Sequence, residues 1–195
     1  MTRLSIGEAR LDELDALVAL SRETYRAHYG ALWSPEGLVR HLARRFDPEA
    51  IRADLLSPAV QYLVARDGQA LAGYAKIIPG RPLPGQDETG TQLERLYLDA
   101  ARTGEGLGTA LLDAARRYAE LRGASRCMWL DVLKTSRNAR RFYERHGFVT
   151  VGELPFATDL GEIGFWTMRR AADVETRFTL ADIETQAVIL TAHGS

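Results

Sequence analysis

From Ala100 to Thr109 the chain reads Ala-Ala-Arg-Thr-Gly-Glu-Gly-Leu-Gly-Thr, a glycine-rich turn leading into apolar residues at Leu111, Ala114, Ala115, Tyr118 and Leu121. That three-and-four spacing is helical. A glycine-rich turn at a helix start bares backbone N–H groups beside the positive end of the helix dipole, where a phosphate can sit. The nucleotide-triphosphate loop requires a lysine after its last glycine, and Gly108 is followed by Thr109. A dinucleotide fold requires Gly-x-Gly-x-x-Gly after the first strand, whereas Gly104, Gly106 and Gly108 have another spacing and lie mid-chain. A pyrophosphate ligand that asks for no lysine remains, and a plain helix cap is the alternative.

One further side chain could move protons. Thr91 to Leu98 alternates as a strand does, with Leu93, Arg95 and Tyr97 on one side and Gln92, Glu94, Leu96 and Leu98 on the other. Glu94 is thus a carboxylate on a partly apolar face, either a general base or a solvated edge residue. Phe142-Tyr143, beside Gly147-Phe148, reads by itself as a helix packing on a sheet. Cys127, the single cysteine, lies in the apolar run Arg126 to Leu130 with no neighbouring histidine in sequence, which reads as a buried structural thiol. His28, His41, His146 and His193 show no four-residue pairing, so no metal site is expected.

Three blocks together, Leu93-Glu94-Arg95-Leu96-Tyr97-Leu98-Asp99, Gly104 to Leu112, and Asn138-Ala139-Arg140-Arg141-Phe142-Tyr143-Glu144-Arg145-His146-Gly147-Phe148, resemble the GCN5-related N-acetyltransferase (GNAT) superfamily. The resemblance spans Leu4 to Arg169 by element order. Glu94 to Leu98, Trp33-Ser34-Pro35-Glu36, and the ending from Pro155-Phe156 to Trp166-Thr167-Met168 are most like its bacterial spermine/spermidine acetyltransferase (PaiA-type) branch.

The resemblance implies an α/β (α+β) fold, with a central, mixed, mostly antiparallel twisted sheet of six to seven strands and about four helices. It implies acetyl-CoA as cosubstrate and direct acetyl transfer to a primary amine of a small, polyamine-like acceptor. Glu94 is then the general base and Tyr143 the acid that protonates the leaving thiolate, with a backbone N–H around Leu96 to Leu98 facing the carbonyl oxygen. Cofactor contacts fall on Leu96, Tyr97, Leu98, Thr103, Gly104, Glu105, Gly106, Leu107, Gly108, Thr109, Ser136, Asn138 and Tyr143. The acceptor pocket falls on Tyr25, His28, Tyr29 and Trp33. Two residues depart from the family pattern. Thr103 stands where Arg or Gln is usual, leaving that pyrophosphate contact to Arg102 or Thr109, and Ser136 stands where Asn is frequent, with Asn138 two residues on.

A polyamine site should present several carboxylates, for which Glu13, Glu23, Glu36, Asp159 and Glu162 are candidates by element order. A protein or peptide acceptor is the alternative, and the length of Pro155 to Gly164, a segment that would cover a small-molecule site and obstruct a chain, speaks for a small acceptor. A non-catalytic acyl-CoA-binding module and a purely structural dimerisation domain are the readings from other classes. A homodimer is implied by the family alone.

The elements that must position these groups follow from periodicity. Leu4 to Gly7 reads as a strand and Ala9 to His28 as a helix. Ser34 caps, and Pro35 starts, a second helix to about Arg45. Gln61 to Arg66 and Leu71 to Ile78 form a hairpin about Asp67-Gly68. Pro79 to Gly90, with three prolines and three glycines, reads as a mobile surface loop. Arg126 to Leu133 reads as a strand, Ser136 to Arg145 as a helix, and Phe148 to Leu154 and Gly164 to Met168 as a last strand pair. Residues 1–170 form one domain, and 171–195 a C-terminal tail or arm with a possible helix at Thr179 to Leu190.

With 195 residues, 46% hydrophobic, and 25 basic against 26 acidic side chains, the chain can bury a substantial core but carries no surplus charge to hold nucleic acid or anionic lipid. Neither partner is expected. The N-terminus reaches Glu8 before any signal-like apolar core, and a lone cysteine suits a reducing compartment, so a cytoplasmic location is expected.

Overall fold

The computed structural model describes residues 4–102, 106–122 and 127–171. Strand β1 (Leu4–Glu8) leads through a 3-10 turn into α1 (Leu14–Tyr29), followed by α2 (Pro35–Arg45) and α3 (Pro48–Leu56). Then come β2 (Gln61–Asp67), β3 (Ala70–Pro82), β4 (Thr89–Leu98), α4 (Leu107–Leu121), β5 (Cys127–Leu133) and α5 (Arg137–Arg145). Four strands close the described chain: β6 (Val149–Leu154), β7 (Ala157–Thr158), β8 (Gly161–Glu162) and β9 (Phe165–Ala171).

Seven strands make one sheet in the order β1-β2-β3-β4-β5-β9-β6, antiparallel throughout except where β4 meets β5. This is the mixed, mostly antiparallel α/β architecture expected. The sheet is covered on both faces, which the alternation within β2 requires. Leu63 and Ala65 pack with Leu111, Leu112 and Ala115 of α4, while Tyr62 and Val64 pack with Leu17 and Val18 of α1 and with Ile51 of α3. Each fully buried leucine here contributes about 2–5 kcal/mol relative to alanine, including the cavity its loss leaves.

Two expectations change. Helix α3 lies where no element was predicted, although Asp47 accepts a hydrogen bond from the Ala50 amide and Pro48 opens the helix, repeating the arrangement of Ser34 and Pro35 at α2. Half of the stretch from Pro79 to Gly90 is strand: β3 continues to Pro82, pairing Arg81 with Gly90 across an irregular register. Proline at the end of a ladder and glycine beside a bulge are compatible with a strand, so chain-breakers alone misled. Only 83–88 turn, and there Leu83 is fully buried. Gly123, Arg126, and the tail from 172 with its candidate helix lie outside the described residues.

Candidate active site

Strand β4 pairs with β5 only at Thr91–Met128 and Gln92–Trp129, after which the two diverge. β5 continues against β9 as far as Leu133–Phe165, and β4 continues against β3 as far as Leu98–Gly73. The divergence leaves one edge of β4 without a ladder partner. Asp99 donates its amide to Ala72 on β3, so by strand alternation Tyr97 and Arg95 also turn theirs to β3. The amides of Leu96 and Leu98 therefore face the gap. Backbone donors at a gap in a sheet are suited to a carbonyl oxygen that gains negative charge.

The gap opens into a cleft of about 390 Å³, within the range that holds small ligands. Tyr25, Tyr29, His41 and Arg45 line it from the side of α1 and α2; Ala139 and Tyr143 of α5 line it from the other, with Gln92 to Tyr97, Asp131, Phe156 and Phe165 between. Glu94, Leu96, Tyr97, Tyr143, Tyr25 and Tyr29 thus line one cleft. His28 and Trp33 are not in the wall. His28 is exposed on α1, and Trp33 packs against the wall residues, its ring tilted on His41 at 4.3 Å and its Nε1 donating to the Tyr25 hydroxyl at 3.3 Å.

A β-bulge sets the direction of Glu94. Lys76 pairs with Arg95 but Ile77 pairs with Leu93, so Glu94 is the extra residue of β4. The extra residue reverses the alternation read from sequence: Leu93 joins Leu96 and Leu98 on the α4 face, and Tyr97 faces α1. Glu94 consequently meets cations from three elements. Glu94 Oε1 lies 2.9 Å from Arg45 Nη2 and 3.5 Å from Arg95 Nη2, and its Oε2 lies 2.7 Å from Lys76 Nζ. Burial would raise this carboxyl, but Arg95, Arg45 and Lys76 together outweigh it and hold it below the ordinary carboxylate range.

Sequence reasoning missed Asp131 as a second carboxylate in the cleft. It accepts a 2.7 Å hydrogen bond from the Thr167 hydroxyl, and burial pushes it above the usual aspartate value despite that bond. A lone acid in the apolar run Cys-Met-Trp-Leu-Asp-Val-Leu was the available signal. Burial likewise pushes the Tyr143 phenol up, with Tyr29 adding to it, so Tyr143 keeps its proton at neutral pH and can donate. Burial also raises Cys127, which is inert in consequence.

The phosphate-binding expectation falls at the start of α4. Gly106 precedes the helix with φ +76°, a left-handed conformation that favours glycine, and as N-cap it has no side chain with which to cap the first turn. A Cβ placed on Gly106 would meet no atom within 4 Å among the described residues. A helix start with a glycine cap and no described side chain against it suits a pyrophosphate. The Thr109 hydroxyl lies 3.2 Å from His146 Nε2, whose Nδ1 lies 2.7 Å from the Phe142 carbonyl, joining α4 to α5. Ser136 and Asn138 begin α5 and do not line the cleft. Thr103, Gly104 and Glu105 lie outside the described residues.

The segment between β6 and β9 adjoins the cleft. Its short hairpin β7–β8 carries Asp159, which accepts a 3.0 Å hydrogen bond from the Ser34 amide at the start of α2, and Phe156 forms part of the wall.

Relatives agree with this geometry. The chain is 28% identical over 161 residues to an uncharacterized N-acetyltransferase of Lactobacillus delbrueckii subsp. lactis, covering 80% of this chain and 90% of that one. Its fold is that of the PaiA N-acetyltransferase from Thermoplasma acidophilum in complex with coenzyme A, with TM-score 0.70 and 19% identity over 86% of this chain and 98% of the other. It is also that of the ribosomal-protein-S18-alanine N-acetyltransferase from Escherichia coli, with TM-score 0.63 and 19% identity over 90% and 99%. The model of the acetyltransferase (GNAT) family matches residues 15–148, which run from α1 through the cleft and the α4 turn to the end of α5. The chain belongs to that family.

Proposed function

We propose that the protein transfers an acetyl group from acetyl-CoA to the primary amine of a small acceptor. The observation that carries this reading is the parting of β4 from β5, which sets unpaired strand amides, two carboxylates and a protonated tyrosine around one cleft. The glycine-capped start of α4 would hold the pyrophosphate, and the edge at Leu96 to Leu98 the pantetheine arm and carbonyl.

The amine nitrogen attacks the thioester carbon; an N–C bond forms and the C–S bond breaks. A free alkyl ammonium with pKa about 10.4 must first lose a proton. The cations around Glu94 disfavour a second positive charge beside them, and the ionised Glu94 carboxylate accepts the proton directly or through water. Tyr143 returns a proton to the departing thiolate. A second assignment of the base is Asp131, favoured by its elevated pKa, which makes it the stronger acceptor of the two.

The polyamine acceptor rests on the resemblance of Glu94 to Leu98, Trp33 to Glu36 and the ending at Met168 to the spermine/spermidine acetyltransferase branch. Of the carboxylates that would hold its ammonium groups, Glu13 binds Arg66 and Asp159 binds Ser34, and none of Glu13, Glu23, Glu36, Asp159 or Glu162 lines the cleft. A peptide acceptor is opposed by the Phe156 segment beside the cleft. The test is thiol release from acetyl-CoA over amines of different classes. Turnover of a small amine supports the reading; preference for a peptide N-terminus overturns the small acceptor, and binding of acetyl-CoA without turnover of any amine overturns the enzyme.

A further inference from the structure

A second cavity of about 460 Å³ lies behind Glu94, between α2, α3 and strands β3 and β4. It shares His41, Arg45, Glu94 and Arg95 with the cleft, so the two spaces adjoin through these side chains. Arg44, Arg45, Lys76 and Arg95 supply four positive charges to its wall, against Asp54 and Glu94. Lys76 Nζ is already divided between Asp54 Oδ2 and Glu94 Oε2, at 2.7 Å from each. The wall therefore keeps a surplus of two positive charges after its own carboxylates are counted. His41 adds none: burial, then Arg45, Arg44 and Arg95, lower it to about 4.

Arg95 is the most telling member. It is only 5% exposed. Its Nη2 donates to the Arg45 carbonyl at 3.2 Å and its guanidinium covers the Phe46 ring at 4.9 Å, yet Nε and Nη1 make no hydrogen bond. The Tyr74 hydroxyl lies beside this guanidinium, which draws its pKa down against the effect of burial. Arg95 is thus a fixed positive charge behind the wall, and with Arg44 and Arg45 it gives the cavity a field that an anion would offset.

We infer that the acceptor carries an anionic group, a carboxylate or phosphonate, a short chain away from its amine, and that Arg45 receives this group in the cavity beside Glu94, with Arg95 as a fixed positive charge behind it, while the amine stays in the cleft. The inference rests on the acetyl-transfer reading and names its substrate class as amino acids or aminophosphonates. It selects against polyamines by the same charge, since further ammonium groups would face the arginines. Arg45, partly exposed and paired with Glu94, can turn to a ligand; Arg95 is fixed.

The test compares matched amines differing only in the anion: glycine, β-alanine, 4-aminobutyrate and 2-aminoethylphosphonate against methylamine, ethylamine and propylamine, with spermidine and a panel of α-amino acids alongside. The full chain is assayed for thiol release from acetyl-CoA, and acetyl-CoA affinity is measured separately. The expected result is a preference of about tenfold or more in kcat/KM for an anionic amine over its plain partner, lost mainly through KM in Arg45→Gln and reversed in Arg45→Glu. Unchanged acetyl-CoA affinity shows that these variants are folded. A preference for plain amines or spermidine, or an anion preference that survives Arg45→Glu, overturns the inference and leaves acetyl transfer standing. No turnover of any amine, with acetyl-CoA bound, overturns both.

Discussion

Glu94 is held by three cations, and this decides how it can act. Its carboxyl, lowered below the ordinary range, is ionised throughout the neutral region and accepts a proton without first having to lose one. It is for the same reason a weak base. If Glu94 carries the proton, the acid limb of kcat/KM falls below the ordinary carboxylate range; if Asp131 does, the limb falls above it, since burial raises that residue. Glu94→Gln is expected to lower kcat at pH 7 by about 10²-fold, to shift activity toward higher pH where free amine is present, and to leave acetyl-CoA affinity near wild type. Asp131→Asn is expected to cost less than tenfold. The reverse order, read in the same steady-state pH profiles, moves the base to Asp131. At the other end of the cleft, Gly106→Asp is expected to weaken acetyl-CoA binding itself by about tenfold or more in a titration. It places a negative charge where the pyrophosphate would approach and strains a left-handed position.

Helix α2 and the β7–β8 hairpin are fastened to each other beside the cleft. Asp159 accepts from the Ser34 amide and lies so close to Gly37 that a Cβ there would clash with its carboxylate. Gly37→Ala should therefore displace the Asp159 carboxylate, and Asp159→Asn should weaken the same fastening. Each is expected to raise the acceptor KM by about two- to fivefold, with Tm and acetyl-CoA affinity little changed, because an exposed contact of this kind adds little to stability. The hydrogen bonds from Ser34 lower the Asp159 carboxyl, so the fastening is intact above the ordinary aspartate range and is lost as pH falls through the lowered value. At this scale the sequence was partly legible. The cap at Ser34, the Asp67-Gly68 hairpin and the α4 period are local signals and were readable as such. The bulge at Glu94 was not: it depends on the register of β3 against β4, and alternation within one strand carries no record of its partner. For the same reason Arg45, Lys76 and Arg95 read as separate charges until the fold brought them to one carboxylate.

The whole molecule is a two-faced sheet whose covering helices meet at the parting of β4 and β5. The faces are joined at the edge by Glu13, which accepts from Arg66 Nε and Nη2 at 2.6 and 2.7 Å and from the Arg10 amide at 2.8 Å. These bonds tie the entry to α1 to strand β2. Glu13→Gln is expected to lower unfolding free energy by about 2 kcal/mol in urea titration, with acetyl-CoA affinity unchanged. Arg66 holds the Glu13 carboxyl low against the effect of burial. Its contribution is therefore complete above the ordinary glutamate range and disappears as pH falls through the lowered folded value. No helix among the described residues is long and apolar enough to cross a membrane, and among them no group of three or more side chains could hold a metal ion. The cleft at the parted strands is proposed to carry acetyl from acetyl-CoA to a small amine. Its most direct test is mass spectrometry of the full chain with acetyl-CoA and mixed small amines, beside a Glu94→Gln control. The predicted result is an N-acetylated small amine formed with stoichiometric free coenzyme A and strongly reduced in the control. Acetyl-CoA bound but unconsumed over the whole mixture, or a product equally abundant in the control and in a reaction without protein, would contradict it.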